Sequence, residues 1–131
     1  MTEALNPPLL LIEDEPSVAA YVRAALERNG YAVQRAETGV AALEMLKAGS
    51  FLGVITDMRT PGDIDGADVY DWLAQHQPAL SKKLVFITGD TVNEETARAL
   101  ERTGAPFIEK PFRVTQLLDV VRQIIGEAKV K

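Results

Sequence analysis

Short apolar runs and amphipathic stretches alternate from one end of the chain to the other. The runs Leu9 to Glu13, Tyr31 to Arg35, Leu52 to Asp57, Leu84 to Thr88 and Ala105 to Glu109 predict five strands, each bounded by polar or turn-forming residues. Helical spacing fills the intervals. The first helix is expected to begin at Pro16, whose ring suits an opening turn, to bury Val18, Val22, Ala25 and Leu26, and to stop at Asn29-Gly30. Ala42, Met45 and Leu46 mark a second helix face, Val69, Trp72 and Leu73 a third, and Ala97 with Leu100 a thin fourth. Val114, Leu117, Leu118, Val121, Ile124 and Ile125 form the apolar stripe of a fifth.

Strands that alternate with helices imply a parallel sheet covered on both faces, because each parallel connection needs a crossover. The fold class is therefore α/β, in three layers. Leu9 to Ile12, Leu52 to Ile55 and Leu84 to Ile87 are nearly all apolar, as strands buried on both faces are. Gln34 and Arg35 mark the second run as an edge, and Pro106, read as lying inside the fifth, marks that one as the other. These assignments fit the strand order 2-1-3-4-5, with the switch point between strands one and three.

Composition narrows the function. The 131 residues suit one domain, and 47% hydrophobic with 25% charged residues is a globular balance. With no cysteine there is neither a disulfide framework nor a thiolate metal site, which fits a cytoplasmic protein. A net charge of -5 has the wrong sign for direct binding to nucleic acid or to an anionic membrane. The apolar runs are too short for a membrane span, and the N-terminus has no signal-peptide pattern.

In an open α/β sheet a ligand binds beyond the carboxyl ends of the strands at the switch point. There strand one ends in Glu13-Asp14-Glu15, strand three in Asp57, strand four in Thr88 and strand five in Lys110. Singly, each has an ordinary structural explanation. An acidic run suits a helix start, Asp57 can open a turn, Thr88 is a common strand residue, and Lys110 before Pro111 can be a solvated strand end. Their coincidence at one sheet edge is what those explanations leave over. Clustered carboxylates call for a hard cation, and Mg²⁺ takes oxygen ligands with a phosphate. With an oxyanion present, Asp57 could attack phosphorus, Lys110 would supply a point charge, and Thr88 would donate a hydrogen bond. No nucleotide-binding glycine loop occurs, so the phosphoryl donor should be another molecule. His76 is alone, extends the Val69, Trp72, Leu73 stripe, and is expected to be a half-buried structural residue.

Five separated segments resemble the receiver domain of two-component response regulators: residues 12–16, 56–62, Thr88-Gly89, 104–107 and 109–112. The resemblance implies a flavodoxin-like (βα)5 sandwich over residues 9–126, flanked by an extension at 1–8 and a tail at 127–131. It implies Asp57 as phosphoacceptor, with Mg²⁺ held by Glu13, Asp14, Asp57 and the backbone carbonyl of Arg59. Thr88 and Phe107 would be a switch pair, the hydroxyl moving toward the phosphoryl group as the ring turns inward. Lys110 would bind phosphate ahead of a cis Pro111. Two departures stand out. The Pro61 to Gly66 loop carries one extra residue, which bears on the start of the third helix, and Glu13 replaces the commoner Asp, lengthening its reach by one methylene and allowing a water-mediated metal contact.

The expected function is a phosphoacceptor in a histidine–aspartate relay, with self-catalysed uptake and slow hydrolysis rather than enzyme turnover on a separate substrate. The expected partners are a histidine kinase or histidine phosphotransfer protein, and a downstream protein docking on the fourth helix, fifth strand and fifth helix. Arg59 and Asp90, each two residues beyond a site residue, are expected to meet as a lid over Asp57. Two other readings are an unphosphorylated adaptor of the same fold and an aspartyl-nucleophile phosphatase. The latter usually needs an acid two residues after its nucleophile, where this chain has Arg59. No output domain is expected within the chain, which is read as either a stand-alone regulator or a segment of a larger protein; the segments 88–90 and 105–112 are similar to those of receivers at the C-terminus of hybrid histidine kinases.

Overall fold

The computed structural model describes residues 7–89 and 91–127. Strands β1 (Leu9–Ile12), β2 (Val33–Ala36), β3 (Gly53–Asp57), β4 (Leu84–Thr88) and β5 (Phe107–Glu109) form one parallel sheet in the order β2-β1-β3-β4-β5. The predicted order and both predicted edges hold. Helices α1 (Pro16–Arg28), α2 (Gly39–Ala48), α3 (Gly66–His76), α4 (Pro78–Ser81), α5 (Glu94–Thr103) and α6 (Val114–Ile124) complete the chain.

Period-2 alternation sends neighbouring strand residues to opposite faces. Leu9, Leu11, Ile55, Val85 and Ile87 pack under α1 and α6 with Val22, Leu26, Leu117 and Val121. Leu10, Ile12, Val54, Leu84 and Phe86 pack on the other side with Leu46 of α2 and Val69 and Leu73 of α3. β1 and β4 are buried throughout and β3 as far as Thr56, because each contributes to both cores.

Several boundaries differ from the sequence expectation, each for a local reason. Among the described residues six helices stand where five were expected: Pro78–Ser81 adds one short turn, too brief to leave a periodic pattern. β2 starts at Val33, two residues later than expected, since Tyr31 is buried and its hydroxyl donates to the Gly126 carbonyl at 2.6 Å. Pro106 precedes β5 rather than lying in it, and its carbonyl accepts from Phe86 N–H. On α5 the fully buried side chain is Thr96, with Ala99 and Leu100 partly covered, while Ala97 faces outward. His76 is exposed rather than half-buried, stacking on Trp72 at 4.6 Å with Nδ1 3.0 Å from the Trp72 carbonyl.

Candidate functional site

The carboxyl ends of β1, β3, β4 and β5 converge at the predicted crevice. Glu13 follows β1, and its N–H still bonds the Ala36 carbonyl on β2 at 3.1 Å. Its side chain is therefore drawn inside and is fully buried, whereas Asp14 and Glu15 face solvent. Glu13 Oε2 accepts from Glu15 N–H at 3.1 Å and closes the turn into α1, which has no other side-chain cap. Asp57 closes β3 with Oδ1 accepting from Arg59 N–H and Oδ2 from Lys110 Nζ, each at 3.2 Å.

Lys110 is the electrostatic hub. Its ammonium lies 3.2 Å from Asp57 Oδ2, 3.5 Å from Glu13 Oε1 and 3.9 Å from Glu15 Oε1. Its backbone N–H donates to the Thr88 carbonyl at 2.7 Å, so β4 fixes where the side chain begins. Burial pulls the Lys110 pKa down, but Asp57, Glu13 and Glu15 outweigh it and hold the group above its ordinary value. Burial raises the Glu13 pKa, and the neighbouring Asp57 and Asp14 charges add to it against the Glu15 N–H and Lys110.

Carboxylate oxygens of Glu13, Asp14 and Asp57 can all lie within 4.8 Å of one another. Glu13 Oε1 is buried and accepts no hydrogen bond. A buried acceptor left over among three carboxylates, with no nitrogen or sulfur donor in the set, fits a hard divalent cation such as Mg²⁺.

The loop after Asp57 accommodates its extra residue without displacing the site. Thr60 Oγ1 donates to the Ile64 carbonyl at 2.6 Å, and Asp65 caps α3 in a reciprocal box with Asp68. α3 starts at Gly66, whose N–H bonds the Met58 carbonyl at 3.0 Å. A Cβ here would run into the Asp57 carbonyl and the Met58 backbone, so only glycine allows this approach.

Thr88 is buried at the end of β4, and Phe107 at the start of β5 is 45% exposed. Their strands pair with Thr88 opposite Glu109 and Phe86 opposite Phe107. The Lys110-Pro111 bond is cis, as the resemblance implied. Asp90, the expected partner of Arg59 in a lid, lies outside the described residues. Arg59 Nη2 stands 3.5 Å from Glu95 Oε1 at the start of α5. Arg35 was legible only as an edge-strand marker, yet its guanidinium reaches the acidic turn, and Glu15 of that turn, which had no assigned role, lies 3.9 Å from Lys110.

The model of the response regulator receiver domain family matches residues 9–122. The chain is 30% identical over 123 residues to the response regulator MprA of Mycobacterium ulcerans, covering 94% of this chain and 52% of that protein. It is 26% identical to the nitrogen assimilation regulatory protein NtrX of Azorhizobium caulinodans, over 94% of this chain and 27% of that one. The chain thus spans about half, or less, of the curated relatives it matches. Among solved structures, the receiver domain of a signal transduction histidine kinase from Syntrophus aciditrophicus superposes with a TM-score of 0.81 at 25% identity, covering 92% of this chain and 90% of that one. The receiver domain of a sensor histidine kinase from Pseudomonas aeruginosa, described with magnesium in its active-site cleft, gives 0.80 at 21% identity, over 93% and 99%. The chain belongs to the response regulator receiver domain family.

Proposed function

We propose that this receiver domain, spanning residues 9–126, takes a phosphoryl group from a phosphohistidine onto Asp57 and thereby switches an interaction face. The observation that carries this reading is the buried Glu13 Oε1, which accepts no hydrogen bond, grouped with oxygens of Asp14 and Asp57 beside a Lys110 ammonium that pairs with Glu13 and Asp57. A carboxylate Oδ of Asp57 attacks phosphorus, the P–N bond breaks, and its electron pair returns to the donor imidazole. Glu13, Asp14, Asp57 and the Arg59 carbonyl would hold Mg²⁺, which when bound neutralises the phosphoryl oxygens against the attacking carboxylate. Lys110 exchanges part of its contact with Asp57 for a phosphoryl oxygen, and the Thr88 hydroxyl donates to another.

Phe107 points outward in this structure, the position expected before phosphorylation. The face it joins consists of α5, β5 and α6, the equivalent of the predicted fourth helix, fifth strand and fifth helix. We assign that face to a downstream protein and the phosphorylation to a histidine kinase or histidine phosphotransfer protein in the cytoplasm. With a net charge of -5, this domain has the wrong sign for direct contact with DNA.

Incubation with a small acyl phosphate and Mg²⁺, read by intact-mass spectrometry, should add one phosphoryl group per chain. Asp57→Asn should take none. Labelling of Asp57→Asn equal to wild type would overturn the assignment.

A further inference from the structure

Arg35 occupies the middle of an edge strand, opposite Leu11 of β1, yet its guanidinium leaves the sheet for the acidic turn. Nε donates to the Glu13 carbonyl at 3.0 Å and Nη2 to the Asp14 carbonyl at 3.2 Å. Two consecutive main-chain oxygens are thus gripped by one planar fork, which a point-charge ammonium cannot reproduce. The side chain is 22% exposed, and its remaining nitrogen is 3.9 Å from Glu37. Beyond the Glu13 N–H bond to the Ala36 carbonyl and the Lys110 ion pairs, the turn has few other braces, so this grip matters. α1 has no side-chain N-cap of its own, and the one internal brace uses Glu13 Oε2, an oxygen of the same carboxylate that faces the metal cluster.

We infer that Arg35 is a positioning residue for the acidic pocket, holding the backbone of Glu13 and Asp14 so that their carboxylates are preorganised for a divalent cation. This rests on the reading of the site given under Proposed function. It goes beyond it in assigning a role to a residue that touches neither the cation nor the phosphoryl group. Groups that orient metal ligands from outside influence affinity strongly although they make no bond to the metal.

The sign of the effect separates this role from a purely electrostatic one. A cation beside an acidic pocket repels Mg²⁺, so if Arg35 acted only through charge, its removal would tighten binding. A clamp predicts the reverse. Arg35→Ala should weaken Mg²⁺ affinity by roughly tenfold by calorimetric titration, and Arg35→Lys, which keeps the charge but not the fork, should weaken it as well. In the metal-free protein, amide exchange at residues 13–15 should quicken in both variants. The rate of phosphorylation by acyl phosphate at saturating Mg²⁺ should stay close to wild type, with the loss confined to the Mg²⁺ concentration needed. If Arg35→Ala does not fold, Arg35→Gln supplies the neutral variant of similar length, tested against the same expectations. Unchanged or tighter Mg²⁺ binding in the folded neutral variant, or wild-type affinity in Arg35→Lys, would overturn the inference. Absence of Mg²⁺ binding in the wild-type protein would instead overturn the functional reading beneath it.

Discussion

The crevice at β1 and β3 and the surface around α5 are held in opposite ways. In the crevice, Glu13 is fully buried, Lys110 reaches three carboxylates, and Arg35 clamps the turn from outside. α5 is secured mainly as a helix. Asn93 caps its first turn by accepting from the N–H groups of Glu95 and Thr96, and Gly104 closes its end in the left-handed conformation at φ 65°. Its place in the fold depends on the buried Thr96, the partly covered Ala99 and Leu100, the Tyr70 hydroxyl donating to the Thr103 carbonyl at 3.1 Å, and the exposed pairs Arg102–Asp71 and Arg59–Glu95. Local bonds that survive a displacement, combined with few tertiary ones, suit an element that moves as a unit. Chemistry needs the first kind of construction, and a response needs the second.

That contrast can be broken at the rigid end most severely. Gly66→Ala forces a methyl against the Asp57 and Met58 backbone, and should lower stability by about 2–3 kcal/mol in chemical denaturation. A variant as stable as wild type would mean that the loop yields, and that the crevice is less fixed than described.

Glu13→Gln tests the cost of concentrating acid there. Burial raises the Glu13 pKa in the folded state, so folding favours its protonated form. The wild type therefore loses stability as pH rises through that raised value, and the Gln variant does not. Without Mg²⁺, the variant should be more stable at neutral pH by about 1 kcal/mol, an advantage that fades as the solution is acidified toward the ordinary carboxylate range. Adding Mg²⁺ should reverse the order. Parallel pH profiles for the two proteins would contradict the argument.

Around α5 the same kind of change should do little to stability. Arg102→Ala removes an exposed bidentate pair with Asp71, costing about 0.5 kcal/mol in thermal unfolding. Arg59→Ala, which releases Glu95, should cost less still, yet quicken dephosphorylation by uncovering the approach to Asp57. Arg59→Ala and Glu95→Ala should each have this effect, and the double variant should be no faster than either. Additive rates would show that the two side chains do not act together.

The parts legible in the sequence are those with a strong local signature. Runs such as Leu9 to Ile12 announce buried strands, and Asp57, Lys110 and the Glu13-Asp14 pair stand directly after such runs, so topology alone brings them together. Less legible were features whose cause is tertiary. Thr96 rather than Ala97 faces the core, a choice that a weak apolar stripe cannot make. Arg35 looked like an exposed edge residue because its partners are main-chain oxygens twenty-two and twenty-one positions away, which carry no side-chain signal. Glu95 near Arg59 carried no signal either, because the contact depends on where the first turn of α5 lies in the fold.

The most direct test joins the two regions. Hydrogen exchange should be followed by mass spectrometry with and without acyl phosphate and Mg²⁺, in wild type and in Asp57→Asn. If phosphorylation of Asp57 drives the loosely held side of the molecule, protection in wild type changes most between residues 91 and 107, and the change disappears in Asp57→Asn. Changes confined to α1 and α2, or an undiminished response in Asp57→Asn, would contradict the account.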